Sequence, residues 1–286
     1  MLIDFLRYFI LAMGFFYLSA IVLNLKKDKD CSTVSNSYYK FLVVVEPFVW
    51  FFVALGISDS ILHTFLYRIR KTVEIKKLPG TLFLSAIVPY CFMSFQYISN
   101  VEIDYITLLI LVAAKTLGYL LGLKLFTNVE AGRLKYLMSF AMLATAVLLF
   151  SKLYLFHSSG GTSPGLNGIK LIAAALCFFA ISTLDIIGFA SNALLFAILL
   201  LLGMSTLSVY PVIMTSSAIG GIAACQNFIK REIYHKKIAA INALTGWIGI
   251  AIAILFLKNI NLLVLETLTI FMLLYNAYSM WNSQAA

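Results

Sequence analysis

The chain has 286 residues, of which 62% are apolar and only 12% are charged. Soluble domains are about 45–50% apolar and about 25% charged, so this composition excludes a single soluble domain, a disordered chain, a fibrous protein and a disulfide-stabilised secreted protein. The net charge of +9 does not indicate a nucleic-acid partner, because most basic residues lie between apolar runs. The four cysteines are scattered without metal-ligand spacing, so we predict no metal site.

Apolar runs, taken in chain order, define the expected architecture. A helix needs about 20 apolar residues to cross a bilayer core. Apolar runs fall at about 5–25, 38–66, 80–98, 105–126, 134–156, 169–189, 190–209, 211–228, 238–256 and 261–281. We therefore predict an all-α polytopic membrane protein with about nine or ten transmembrane segments. We interpret the first run as a retained span, because lysines follow it where a signal peptide has small cleavage-site residues.

The second run differs from the others in length. A helix over 38–66 would be about 43 Å long at 1.5 Å per residue, which is too long for one upright span and too short for two. Glu46-Pro47 and Gly56 both interrupt it. We predict a broken or re-entrant pair of helices here, since such backbone is tolerated where protein or a cavity surrounds it.

Basic residues are concentrated in alternate connectors. Connectors 67–77, 124–135 and 230–237 each carry at least three lysines or arginines, whereas 100–104 and 157–168 carry none. Positively charged loops mark the cytoplasmic side of a membrane. We therefore predict a multi-pass protein of the cell membrane (inner or plasma membrane), with the basic connectors and the C-terminus in the cytoplasm.

The two halves of the sequence resemble each other at a constant offset. Pro79 and Pro211 are 132 positions apart, as are Gly56 and Gly188. The charge rule makes the helices that begin at the two prolines cross the membrane in opposite directions. Inverted repeats with broken helices recur in secondary transporters, and the alternative is a duplicated scaffold without transport. The expected division is an extra N-terminal span and basic loop at 1–37, a first repeat at 38–157, a linker at 158–168 and a second repeat at 169–286.

The order of these features resembles that of a known family. A broken helix is followed by an apolar run, a helix with the pattern Pro-x-x-x-Thr/Ser-x-Ser-Ala, a charged hairpin and a glycine-spaced helix. The second half carries this order best, from Gly188 through Pro211 and Ala218 to Gly249. The chain resembles the sulfite exporter TauE/SafE family of permeases over about two-thirds of its length. This resemblance implies a fold of inverted repeats and the transport of a small sulfur-containing or organic anion.

Ionisable residues inside apolar runs are costly and indicate function. Those at membrane depth are Glu46, Asp59, His63, Lys115, Asp185 and Glu266. Lys115 is close to the centre of its run, from which its ammonium group cannot easily reach either membrane surface. We predict that Lys115 binds an anion or supplies a counter-charge in a permeation path. The alternative is a structural ion pair with Glu46 or with one of the two aspartates. Glu266 lies near the end of its run and is interpreted as interfacial.

Acidic residues and a histidine lie close to the two breaks. Asp59 and Asp185 either carry a coupling proton or pair with Lys115; alternatively, they accept hydrogen bonds from backbone N–H groups that the breaks leave free. His63 shares a helical face with Asp59, which favours a proton relay. The alternative for His63 is a solvated imidazole near the membrane surface.

Uncharged polar side chains are the remaining candidates. Thr215, Ser216 and Ser217 follow Pro211, which we take as the start of a helix, so their hydroxyl groups and the free N–H groups of a first turn favour an oxyanion. The alternative is that they allow close packing of helices. Asn192 is a weaker candidate for the same role.

The function that these features predict is secondary transport of a small anion. Proton coupling is inferred from the buried carboxylates beside a histidine and from the lack of any ATPase motif. The alternative is a membrane-embedded scaffold or sensor that binds a partner through its basic loops. No enzyme motif is present, so we predict no catalytic residues and no cofactor. The expected partners are the anion and the lipid bilayer, and a homo-oligomer is compatible with the sequence.

Overall fold

The chain is helical throughout its described parts. The computed structural model describes residues 2–26, 34–55, 57–126, 128–151, 161–188, 191–256 and most of 270–282. The helices are α1 (Leu2–Lys26), α2 (Asn36–Ala54), α3 (Asp59–Arg70), α4 (Leu78–Asn100), α5 (Tyr105–Phe126), α6 (Ala131–Ser151), α7 (Ile169–Asp185), α8 (Ser191–Leu201), α9 (Thr206–Arg231) and α10 (Lys236–Phe256), with a 3₁₀ turn at Ile75–Lys77. These ranges contain no β-strand, so the all-α prediction is confirmed for them.

Seven segments in the described ranges are long and apolar enough to cross a membrane. They are Phe5–Leu25, Asn36–Ala54, Ile75–Asn100, Tyr105–Phe126, Ala131–Leu148, Thr206–Arg231 and Lys236–Ala253. By length and composition the chain is therefore a multi-pass membrane protein. Of the nine or ten predicted segments, those that contain α3, α7 and α8 form helices of only 12, 17 and 11 residues. Most of the last predicted run, 261–281, lies outside the described residues.

The distribution of side chains is that of a protein surrounded by hydrocarbon. Large apolar side chains such as Phe15, Leu109 and Phe140 are exposed on the outside of the bundle. Polar and charged side chains, including Lys115 and Asn242, are fully buried inside it. Polar groups at membrane depth are retained only where protein or a cavity surrounds them, so the interior of the bundle is the place to look for function.

Helices α4 and α9 form an antiparallel pair at the centre and are the two most buried of the seven spans. At the start of α9, the Ser208 hydroxyl donates to the Glu102 carbonyl just beyond α4 (2.9 Å). At the other end, the His235 N–H donates to Thr81 Oγ1 at the start of α4 (2.9 Å). We call the end that carries the 3₁₀ turn and the α9–α10 connector the basic end, and the end that carries the α4–α5 connector the opposite end.

Helix α9 begins earlier than the sequence indicated. It starts at Thr206, because the Ser205 side chain accepts a hydrogen bond from the Ser208 N–H and caps the helix. Pro211 lies inside the helix instead of at its start. The prediction that Thr215 and the two serines after it occupy a first turn with free N–H groups is therefore wrong.

The second apolar run forms two helices that lie side by side. Helix α2 ends at Ala54 and α3 begins at Asp59, and the Thr72 hydroxyl just beyond α3 donates to the Tyr38 hydroxyl at the start of α2 (3.2 Å). Helix α2 therefore runs from the basic end into the bundle, and α3 runs back to the basic end after the turn. At the turn, the Tyr97 hydroxyl donates to the Ala54 carbonyl (3.1 Å), which satisfies a backbone group that the break leaves free.

Helices α7 and α8 form a second hairpin of the same kind. Helix α7 ends at Asp185, a turn follows in which Gly188 has φ +80°, and α8 begins at Ser191. The Gly161 N–H before α7 donates to the Met204 carbonyl after α8 (3.0 Å), so the two ends of this hairpin lie together. The segment that precedes α7 also accepts a hydrogen bond at its Pro164 carbonyl from the Asp104 N–H beside α5 (3.1 Å). Since Asp104 belongs to the α4–α5 connector, this second hairpin opens towards the opposite end of the bundle.

Each hairpin packs against a span from the other half of the chain. Helix α5 packs against α7, and α10 packs against α2. A glycine allows each contact: a Cβ atom at Gly118 would collide with the Phe179 carbonyl, and a Cβ atom at Gly249 would collide with the Pro47 carbonyl. Small residues let membrane helices approach this closely, and the contacts hold both hairpins against the central pair α4 and α9.

Candidate functional site

The first residues of α3 and α8 meet the middle of the central helices in a polar cavity. The cavity has a volume of about 30 Å³. Its polar lining comprises Asp59, Ser60, Tyr90, Tyr119, Asp185, Asn192 and Ser217. Both hairpins contribute at their breaks, where polar side chains are needed to satisfy the ends of helices inside the membrane.

Lys115 is fully buried on α5 beside this cavity. Its Nζ donates to Asn192 Oδ1 (2.7 Å) and to Ser217 Oγ (2.8 Å), and it lies 5.7 Å from the centre of the Tyr119 ring. Among the described residues it forms no ion pair within 4.0 Å of a carboxylate. The alternative interpretation of a direct ion pair is therefore wrong for these residues, and the ammonium group is held by neutral groups.

A chain of three hydrogen bonds joins Lys115 to Asp59. Lys115 donates to Asn192 Oδ1, Asn192 Nδ2 donates to the Tyr90 hydroxyl (2.7 Å), and Tyr90 donates to Asp59 Oδ1 (2.5 Å). The amide orientation of Asn192 follows from this network, since its oxygen must accept from the ammonium group. All donors point from the cation towards the carboxylate, so the bonds polarise one another and connect the two charges indirectly.

Asp185 occupies the end of α7 on the same cavity. Its Oδ2 accepts hydrogen bonds from the Tyr119 hydroxyl (2.7 Å) and from the Ser191 hydroxyl (2.6 Å). Ser191 is the first residue of α8, so Asp185 links the two helices of the second hairpin. Among the described residues, these two hydroxyl groups donate to the carboxylate, a role that the alternative from the sequence gave to free backbone N–H groups.

His63 lies outside the cavity. Its imidazole is fully buried, with Nε2 2.9 Å from Glu46 Oε2 and Nδ1 2.9 Å from the main-chain carbonyl of Asp59. The alternative of a solvated imidazole is therefore wrong. The predicted relay between His63 and Asp59 is also wrong in its detail, because one helical turn brings the ring to the carbonyl oxygen of Asp59 and not to its carboxylate.

The three hydroxyl residues of α9 have separate partners. Ser217 accepts from Lys115 at the cavity. Thr215 Oγ1 lies 2.7 Å from Ser94 Oγ and joins α9 to α4, and Ser216 donates to a carbonyl of its own helix (3.0 Å). The structure thus brings Lys115, Asp59, Asp185, Asn192 and Ser217 together, and it gives Thr215 and Ser216 packing contacts.

Two tyrosines are the site residues that sequence reasoning missed. Tyr90 and Tyr119 are fully within the spans α4 and α5 and donate to the two cavity aspartates. The available signal was a phenol in the middle of an apolar span, since a buried hydroxyl group needs a partner. Glu266, another candidate from the sequence, lies outside the described residues.

A second cavity of about 20 Å³ adjoins the first one. Val53, Tyr210 and Met214 line it towards the opposite end, whereas the first cavity extends towards the basic end. Tyr90 and Asn192 line both cavities. The hydrogen bond between these two side chains therefore lies where the cavities meet.

The comparisons with other proteins add no relative. No family model, curated protein or solved structure matches the chain. Among the described residues no group of three or more histidine, cysteine, aspartate or glutamate side chains is arranged to hold a metal ion.

Proposed function

We propose that the protein is a secondary transporter that carries a small anion, organic or sulfur-containing, through the cavity between its two hairpins. The single observation that carries this proposal is Lys115, a fully buried cation whose hydrogen bonds go to Asn192 and Ser217. A charged lysine at membrane depth costs at least ~2.5–3.5 kcal/mol. An anion bound in the cavity offsets that cost when the neighbouring aspartates are protonated.

Two inverted repeats, 38–157 and 169–286, supply the alternating access that such a carrier needs. Several observations support this arrangement. The helices that follow the two breaks begin 132 positions apart, and their hairpins open towards opposite ends of the bundle. The packing is reciprocal as well, with α10 on α2 and α5 on α7. We further propose that the basic end, where the Arg68 guanidinium donates to the Ser279 carbonyl near the C-terminus (3.2 Å), faces the cytoplasm.

The charges of the cavity favour transport of the anion together with protons. One lysine and two aspartates, if all are ionised, leave one net negative charge, which opposes an anion. Protonation of Asp59 and Asp185 reverses the sign of that charge. Proton binding and anion binding therefore strengthen each other. Protons and anion cross the membrane together, in the direction set by their combined concentration gradients.

The proposed substrate class rests on a sequence resemblance. The arrangement of breaks and proline-containing helices resembles the TauE/SafE permeases, which implies sulfite or a sulfonate as cargo. The cavity is small and polar, and Lys115 adjoins it through its hydrogen bonds to Asn192 and Ser217.

A panel of solutes tests this proposal. Purified protein in proteoliposomes is given labelled sulfite, an alkyl sulfonate, a short carboxylate and an organic cation, with protein-free liposomes as the control. We expect uptake of at least one anion, stimulated by an inward proton gradient. Uptake of the cation alone would show that the ionised aspartates decide selectivity. A protein that moves none of the four would favour the scaffold alternative.

A further inference from the structure

The Glu46–His63 pair is a second site of ionisable side chains, separate from the cavity. Glu46 lies in the middle of α2 and His63 in the middle of α3, and both side chains are fully buried. Their contact spans 17 positions of sequence across the first break. Neither residue lines either cavity, so the pair has no part in holding the proposed substrate.

Hydrogen bonding fixes the number of protons on this pair. The Asp59 carbonyl only accepts, so the His63 Nδ1 that faces it carries a hydrogen. The 2.9 Å contact between Nε2 and Glu46 Oε2 then needs one proton. The contact is either imidazolium with carboxylate or imidazole with carboxylic acid, and the pair is neutral in both cases. Loss of that proton leaves two acceptors facing each other and a net negative charge inside the protein.

Among the described residues, His63 provides the only cationic nitrogen within 4.0 Å of the Glu46 carboxylate. The Trp50 and Tyr67 rings lie 5.6 and 5.8 Å from the imidazole. The titratable groups near the pair are the phenols of Tyr38 and Tyr67 from α2 and α3, the carboxyl group of Asp59, and the Tyr90 phenol of α4 behind Trp50. Helix α10 contributes only the neutral Asn242, bonded to Tyr67 (2.6 Å). Glu46 Oε1 has no hydrogen-bond partner among the described residues.

The second repeat lacks this chemistry. The positions 132 residues further along the chain are Phe178 and Leu195, which are both fully buried and apolar. At that break, the described donors to the Asp185 carboxylate are the hydroxyl groups of Tyr119 and Ser191. Of the two breaks, therefore, the first is bridged by a contact that depends on a proton, whereas the described contacts across the second depend on hydroxyl groups.

We propose that Glu46 and His63 form a proton-binding site whose single proton holds α2 against α3. Release of the proton weakens that contact and loosens the first hairpin. The effect reaches the cavity because His63 is bonded to the main chain of Asp59, whose carboxyl group accepts from Tyr90. The inference that this site controls the transport rate through pH rests on the proposed function. The inference that the site binds a proton does not.

The fluorescence of Trp50 provides a direct test, since a neighbouring imidazole changes the quenching of indole when it gains or loses a proton. The chain has three tryptophans, and the other two, Trp247 and Trp281, are 46% and 59% exposed, so both are replaced by phenylalanine. In this full-length protein in nanodiscs, Trp50 emission is followed over a series of pH values, and we expect it to change as the pair gains or loses its proton. Glu46→Gln and His63→Gln should each abolish the titration, and His235→Gln and Asp59→Asn should retain it.

A double variant guards against misfolding. Glu46→Met with His63→Leu replaces the pair by apolar side chains, which is often tolerated where removal of one partner is not. It should fold and show no titration. A flat Trp50 signal in the parent, or a titration that persists in both single glutamine variants, overturns the proposal.

Flux measurements separate this proposal from the proposed function. If the protein transports, His63→Gln should still accumulate anion under a proton gradient, and the dependence of its rate on the pH set equally on both sides should differ from that of the wild-type protein, because only the cavity aspartates then remain to titrate. A rate with unchanged pH dependence contradicts the role in control. If the wild-type protein moves no solute, the proposed function fails, and the Trp50 titration still decides whether the pair binds a proton.

Discussion

Tyr90 and Asn192 are joined by a 2.7 Å hydrogen bond at the point where two cavities meet. One residue belongs to a central helix of the first half and the other to the start of α8 in the second half. Their bond is also the middle link between the buried Lys115 and Asp59. The hydrogen bond between Tyr90 and Asn192 therefore both connects Lys115 to Asp59 and lies at the boundary of the two cavities.

Tyr90→Phe tests this contact. The change removes the donor of Asp59 and the acceptor of Asn192 while the ring remains. Because buried polar groups without partners cost about 1–3 kcal/mol, we expect a lower melting temperature and weaker accumulation of anion under a proton gradient. The matched control is Tyr105→Phe, whose ring is exposed and should tolerate the change. Unchanged melting and accumulation in Tyr90→Phe would contradict the described network.

Glycine substitutions test the packing between the halves. Gly249→Ala places a methyl group against the Pro47 carbonyl, and overpacking of this kind costs about 1–3 kcal/mol. Gly132→Ala is the matched control, since nothing lies within 4 Å of its added Cβ. Thermal unfolding in detergent should show a loss for Gly249→Ala and none for Gly132→Ala. Equal melting of both variants would show that α10 does not approach α2 as described.

Asp104 provides a test of pH dependence outside the membrane spans. It precedes α5, and hydrogen bonds from the Thr107 side chain and N–H (2.6 and 2.8 Å) lower the pKa of Asp104. The stabilisation is complete above the unfolded pKa of about 3.9 and is lost as the pH falls through the lower folded value.

Asp104→Asn keeps a good capping residue and removes the titration. The variant should match the wild-type protein at neutral pH and lose less stability in acid. The measurement is the difference between the two melting temperatures, followed from pH 7 to pH 2.5. An identical acid dependence of both proteins would show that the cap does not titrate with folding.

Labelling from the two sides of the membrane tests the proposed orientation. Lys76→Cys and Lys230→Cys lie at the basic end, and Asn100→Cys lies at the opposite end; all three positions are exposed. An impermeant maleimide should modify the first two only from the cytoplasmic side and the third only from outside. The parent protein gives the background of the native cysteines. Labelling of all three positions from one side would contradict the topology.

The sequence was sufficient for the features that depend on composition. The apolar runs predicted the helices, and buried charges inside those runs singled out Lys115, Asp59 and Asp185. Such residues stand out because charge at membrane depth is costly wherever it occurs. The break after α2 was also predictable, since 38–66 is too long for one upright span.

Features that depend on tertiary contacts were not predictable. The start of α9 was placed at Pro211, because proline is favoured in a first turn, but the Ser205 cap begins the helix earlier. Tyr90 and Tyr119 resemble ordinary residues of apolar spans until their partners are known. The contact of His63 with Glu46 exists only because α3 returns beside α2.

The measurement that tests the central claim most directly is gradient-driven anion uptake by Lys115→Met and Lys124→Met. Both variants remove one lysine from α5, but Lys115 is fully buried at the cavity and Lys124 is exposed near the basic end of the helix. Size-exclusion elution and thermal unfolding confirm that each variant is folded. We expect Lys115→Met to abolish uptake and Lys124→Met to retain the wild-type rate. Wild-type uptake by a folded Lys115→Met protein would contradict the proposed role of Lys115 in anion transport.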